Sequence, residues 1–128
     1  LFMNQVTQLE DMLIDDGCQI IKFWFSIHKD EQNKRLEERK TNPLISWKLS
    51  TVDMQAQMKW NDFTHYKMEM FKRTGTLKSP WVIMQGNNKD EARKEAMRYV
   101  LNSIPYDQKG LTSERLEPDS KIYTVENN

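Results

Sequence analysis

Arg35 and Arg39 stand four residues apart in a run with almost nothing apolar, His28 to Lys40, where Leu36 is the only large apolar side chain after the first turn. On a helix that spacing puts both guanidinium groups on one face, where they repel by about 0.2–0.5 kcal/mol. An anion between them would remove the repulsion, and guanidinium forks match phosphate oxygens in pairs. Lys48 sits beside Trp47 and just ahead of Ser50, a residue suited to capping a helix, so the free amides of a helix start lie close to it. Lys89 and Arg93 are again four apart, at the start of a helix, where positive charge opposes the helix dipole and needs Asp90 or a ligand to compensate it. Lys22 interrupts an apolar strand and must find an anion or reach out to water. Each case has a plainer alternative. The arginine pair reads as a solvated face, which pattern alone favours, and Trp47 reads as an apolar anchor beside a solvated lysine. Taken together, the cations fall near strand ends and the mouth of a helical insertion, where ligands bind in open α/β sheets. The chemistry they point to is the holding of phosphate-like anions.

Other chemistries find no residues to perform them. Cys18 is the only cysteine, so neither an internal disulfide nor a cysteine-based zinc site can form, and its neighbours suit a small buried apolar residue. His28 and His65 are far apart and no His-Glu-x-x-His occurs. Asp15 and Asp16 lie in a helix-end turn rather than in an acid–base pair, and the four glycines cannot form a phosphate-binding P-loop. Lys plus Arg and Asp plus Glu each number 19 in 128 residues, so no net charge draws the chain toward nucleic acid or an anionic membrane. The aromatic residues fall on inward stripes and no basic run of five exists, so nucleic acid is not expected as a partner. The longest apolar stretch, Ile20 to Ile27, is interrupted by Lys22 and Ser26, against about 20 residues for a spanning helix. No membrane partner and a soluble, cytoplasmic setting are expected.

The elements that must position these cations can be read from periodicity. Met3, Val6, Leu9, Met12 and Leu13 recur at helical steps, and Asp15-Asp16-Gly17 ends that helix, glycine suiting the left-handed position after it. Cys18 to Ile27 reads as a strand, wholly apolar on the face of Ile21, Phe23, Phe25 and Ile27 and mostly apolar on the other, as in a parallel sheet covered on both sides. Trp81 to Gln85 is the one other good strand candidate, followed by a helix that Asn87 or Asn88 caps and Pro105 stops. Two strands do not make a sheet for a domain of this size, so the missing ones are expected from outside the chain or from a partner. Between the two strands lies a helical insertion. It has a break at Thr41-Asn42-Pro43, a Ser50 cap with Asp53 in capping-box position, and a stripe of Val52, Ala56, Trp60, Phe63, Tyr66 and Met70 closed by Thr74-Gly75-Thr76. The tail from Asp107 to Asn128 reads as polar, an extended arm or disorder, with scattered Leu111, Leu116, Ile122 and Tyr123.

These residues resemble the polyphosphate kinase 2 family. The resemblance is carried by Asp15-Asp16-Gly17 leading into Ile20–Ile27, Lys29-x-Glu31-Gln32, Glu38-Arg39, Asn42-Pro43-Leu44 and Trp47-Lys48-Leu49-Ser50 with Asp53. It continues through Trp60-x-x-Phe63-x-x-Tyr66, Met70-Phe71, Thr74-x-Thr76, Pro80-Trp81, Lys89-x-x-Ala92-Arg93 and Ile104-Pro105-Tyr106, so that it covers the chain to about Asp107. It implies an α/β fold of the P-loop kinase type, a three-layer α/β/α domain with a helical lid at about residues 28–76. It also implies phosphoryl transfer, with Mg²⁺, between inorganic polyphosphate and a nucleotide. The family's lid arginine falls on Arg39, and Arg35, Lys48, Lys89 and Arg93 fall on basic positions near the phosphate path. Phe23-Trp24-Phe25 and Met97-Arg98-Tyr99 look most like members that use nucleoside diphosphates such as ADP or GDP.

The family's P-loop, its metal-binding aspartate and an Asp-Arg-Ser stretch would all lie before Leu1. Residues 1–107 therefore correspond to the C-terminal half of the domain and 108–128 to a polar tail beyond it. The expectation is a chain that does not catalyse alone, with Mg²⁺ bound by residues outside it, within a homo-oligomeric enzyme. His28 stands where the family often has a serine cap, at a cost of ~1 kcal/mol to that helix start. Asn87-Asn88 replaces a pair that is often acidic, and asparagine still caps. Two other readings compete: a non-catalytic fragment that binds polyphosphate or oligomerises, and a P-loop nucleotide kinase that uses ATP as donor.

Overall fold

A computed structural model describes residues 1–107 and 117–127. The first helix, α1 (Phe2–Asp15), ends where Gly17 takes a φ of 93°. The Gly17 amide donates to Ile14 O and the Cys18 amide to Leu13 O, which closes the orphan carbonyls of the last turn. The chain then enters β1 (Lys22–Ser26), which pairs in parallel with β2 (Trp81–Gln85), Lys22 opposite Trp81 and Ser26 opposite Gln85. The expected strand from Cys18 is shortened to Lys22 because a ladder extends only as far as its partner, and β2 starts at Trp81.

Between the paired strands run α2 (Lys29–Thr41), a 3₁₀ turn (Ser46–Lys48), α3 (Thr51–Ala56) and α4 (Trp60–Thr74). The helical insertion read from the sequence is therefore present, but its long stripe is divided into two helices at residues 57–59. At that break Gln57 donates its side-chain amide to Lys29 O and Gln32 Oε1 of α2. Ser50 and Asp53 form the expected capping box, and His28 starts α2 without a side-chain cap. After β2, Asn88 accepts from the amides of Asp90 and Glu91 to start α5 (Lys89–Ser103).

Successive residues of β1 point to opposite faces. Phe23 meets Tyr99 of α5 edge-on at 5.6 Å and joins the core of Val82, Met84 and Ala96. Trp24, one residue on, meets Phe71 of α4 edge-on at 5.6 Å. Helices thus cover the sheet from both sides. Lys22 shares the second face, where its ammonium donates to Glu10 Oε2 at 2.8 Å, Thr74 O at 2.5 Å and Ser79 Oγ at 3.2 Å. That is the anion an inward lysine requires.

The tail departs from its reading. Tyr123–Glu126 forms β3, antiparallel to β2, so a third strand comes from within the chain. Glu95 of α5, 2% exposed, accepts the Asp119 amide at 2.7 Å and so seats the turn before β3. Tyr123, Thr124 and Val125 are strand formers, but four residues inside a polar tail become a strand only because the β2 edge supplies their pairing. Leu111 and Leu116 of the expected tail lie outside the described residues. The stripes of α1 and the insertion differ from expectation in burial: Leu9, Met12, Val52, Phe63 and Tyr66 are more than half exposed or close to it, because no described element covers them.

Candidate functional site

Three chain segments meet beyond the C-terminal ends of the two parallel strands. Gly86, the residue after β2, donates its amide to Ser26 O at 2.7 Å, tying the ends of β1 and β2 together. Asn87 Oδ1 accepts the His28 amide at 3.0 Å, so the start of α2 is fixed to the same loop. Arg35, two turns into α2, reaches back to that loop and donates Nη2 to Gly86 O and Asn87 O, each at 2.9 Å, while its Nε donates to Glu31 Oε1 at 2.7 Å.

Arg39 lies one helical turn further, about 6 Å along the axis. It makes a 3.3 Å contact with Asp53 Oδ2, and both side chains stay roughly a third exposed. The same Asp53 oxygen accepts the Ser50 amide at 3.0 Å. Arg39 is therefore drawn to the helix start that follows Lys48. Lys48 itself is exposed, with its ammonium 5.2 Å from the centre of the Trp47 ring. Trp47 is 77% exposed and donates to Leu44 O, so it does not act as the apolar anchor that was one of its two readings. At the other end, Lys89 and Arg93 occupy the first turns of α5 directly after the Arg35-bound loop. Both are exposed, and Arg93 contacts Asp90 at 3.3 Å.

The structure thus gathers the expected cations into two sets. Arg35 joins the loop that leads into Lys89 and Arg93, and Arg39 joins the segment of Lys48. Helix α2 carries both arginines, one turn apart. Sequence reasoning had placed Asp53 only as a capping residue, and the contact with Arg39 gives it a second role that depends on the fold. Asp53 also lines a cleft of about 360 Å³ between β1, α2, α3 and α4, whose other walls include Trp24, Phe25, Trp60, Phe63 and Lys67. No local signal identifies that cleft, because its walls come from four separate elements. Among the described residues, no three His, Cys, Asp or Glu side chains converge on a point that could hold a metal ion.

The sequence profile described as Polyphosphate kinase 2 (PPK2) matches residues 1–112, most of the chain. The chain belongs to the polyphosphate kinase 2 family. Among polyphosphate kinase 2 relatives, the chain is 40% identical over 121 residues to the Corynebacterium glutamicum protein named Polyphosphate kinase PPK2B, covering 94% of this chain and 39% of that protein. It is 43% identical over 105 residues to NDP-polyphosphate phosphotransferase 2 of Ruegeria pomeroyi, covering 82% of this chain and 30% of that one. The chain therefore spans well under half the length of these relatives. The solved structure of Polyphosphate Kinase 2 from Arthrobacter aurescens TC1 superposes with a TM-score of 0.67 at 33% identity, over 71% of this chain and 33% of the other.

Proposed function

We propose that this chain is the lid and C-terminal half of an enzyme that moves a phosphoryl group between inorganic polyphosphate and a nucleoside diphosphate such as ADP or GDP. The domain is read as a P-loop kinase-like, three-layer α/β/α fold with a helical lid at about residues 28–76. Support comes from helices on both faces of β1 and from the insertion of α2, α3 and α4 between two parallel strands. One observation carries the reading: α2 is pinned across the strand ends while Arg39, one turn on, stays partly exposed with a single long contact.

In the transfer, a bond forms from the diphosphate's terminal oxygen to the end phosphorus of polyphosphate as the bridging P–O bond breaks. The products are a triphosphate and a polyphosphate shorter by one unit. Arg39 neutralises the equatorial oxygens, and Lys48, Lys89 and Arg93 hold neighbouring phosphates in line. Mg²⁺ would supply charge neutralisation at the phosphates. We assign it to the family's metal-binding aspartate, which the resemblance places before Leu1. A cytoplasmic homo-oligomer acting on polyphosphate and nucleotide, not on nucleic acid, completes the proposal. No described helix is long and apolar enough to cross a membrane.

The test is a chimera in which this chain replaces the matching part of the C. glutamicum relative, assayed with polyphosphate, Mg²⁺ and ADP or GDP. Triphosphate formation is expected from the chimera and none from the chain alone. A folded chimera that transfers only from ATP to a monophosphate would reject the polyphosphate reading.

A further inference from the structure

Arg35 matches a basic position near the family's phosphate path, yet its guanidinium is turned toward the protein. We propose that Arg35 is a positioning residue: it latches α2 to the 86–88 loop and so sets the place from which Arg39 meets phosphate. Its part in transfer rests on the polyphosphate reading above, while the latch itself does not.

Three acceptors converge on the group. Glu31 neutralises its charge from one side at 2.7 Å, and the carbonyls of Gly86 and Asn87 take two N–H bonds at 2.9 Å each. The side chain is 17% exposed, against 31% for Arg39. The loop it grips is itself fixed. The Gly86 amide donates to Ser26 O at 2.7 Å and Asn87 Oδ1 accepts the His28 amide at 3.0 Å, so the loop is tied to the chain that leaves β1. Helix α2 fully buries only Leu36, so polar contacts hold much of it: Gln57 bonds its first turns, Arg39 reaches Asp53, and Arg35 supplies the side-chain bonds from its middle to the 86–88 loop. A lysine could not replace it, because one ammonium cannot reproduce a side-on bond to a carboxylate together with a fork on two carbonyls.

Amide hydrogen exchange on the 128-residue chain tests the latch without any ligand. In Arg35→Ala and Arg35→Lys, amides of residues 29–41 and 86–88 are expected to exchange at least about tenfold faster, with α1 and α4 unchanged. Glu31→Gln should loosen the same amides, which keeps the latch testable if Arg35→Ala fails to fold. Arg39→Ala should leave residues 29–35 as in the parent. The second arm titrates inorganic polyphosphate against salt. Arg35→Lys and Arg35→Ala should weaken binding several-fold with the slope of log Kd on log salt unchanged, whereas Arg39→Ala should reduce that slope by about one counterion. Parent-like exchange in both Arg35 variants, or a slope reduced by about one in Arg35→Ala, would overturn the proposal. If the parent chain binds no polyphosphate, the functional reading loses its support and the exchange arm alone decides the latch.

Discussion

A guanidinium group that is to meet phosphate in transit must stay accessible and only loosely held by its own protein. Arg39 satisfies both conditions, and its partly exposed pair with Asp53 contributes roughly 0–1 kcal/mol. Arg39→Ala in the chimera should therefore lower turnover by about 10²–10³-fold while the unfolding midpoint of the isolated chain barely moves. Steady-state kinetics beside urea unfolding checks this, and a stability loss with turnover kept would place Arg39 in the scaffold instead. The Lys22–Glu10 pair behaves oppositely because it is buried, with side chains 9% and 12% exposed. Glu10→Ala leaves a largely buried ammonium with the neutral partners Thr74 O, Ser79 Oγ and the Trp81 ring but no anion, and should cost about 3 kcal/mol. Lys22→Met combined with a Glu10→Leu change should recover most of that in urea unfolding, since no charge then remains uncompensated.

At the scale of elements, helix starts decide where cations end up. Asn88 holds the amides of Asp90 and Glu91, so Asn88→Ala should cost about 1 kcal/mol, readable as a lower urea midpoint. The α5 face that packs on the sheet has a pH signature. Burial, and secondarily Tyr123, raises the Tyr99 phenol above its ordinary value near 10. Between the unfolded and folded values the folded chain holds more protons, so unfolding free energy falls as pH rises. That contribution is complete below about pH 10 and is lost as pH climbs through the folded value. Alkaline urea titrations should show the decline, and Tyr99→Phe, which keeps the ring contacts with Phe23 and Tyr123, should flatten it. A parent and variant with the same alkaline slope would mean that Tyr99 is hydrated.

At the scale of the molecule, β3 covers the edge of β2, and among the described residues β1 and β3 are the two outer strands of the sheet. Removing residues 108–128 would strip the Asp119 amide from buried Glu95 and expose the β2 edge. Lower stability and concentration-dependent association in light scattering are expected, and a monomer of parental stability would show that β3 is dispensable. The apolar side chains of Leu9, Met12, Val52 and Phe63 remain uncovered among the described residues. Their stripes marked helical stretches, the second of them split at residues 57–59, but predicted burial that the described residues do not provide.

Local rules operate within a few residues, and they settled what such rules can settle. Gly17 ended the first helix, Ser50–Asp53 and Asn88 started two others, and the β1 pattern announced a parallel strand covered on both faces. The family likeness was legible for the same reason, since its motifs are short and fixed in spacing. The ends of β1, the strand in the tail, the Arg39–Asp53 contact and the two carbonyl partners of Arg35 each depend on a group 14 to more than 50 residues away or on the edge of another strand, whereas the Arg35–Glu31 pair is a local i,i+4 contact. Side-chain type fixed that Arg35 and Arg39 would seek oxygen acceptors. Which acceptors each could reach was decided by the packing of α2 across the strand ends, because hydrogen bonds form over 3 Å of space and not over sequence distance.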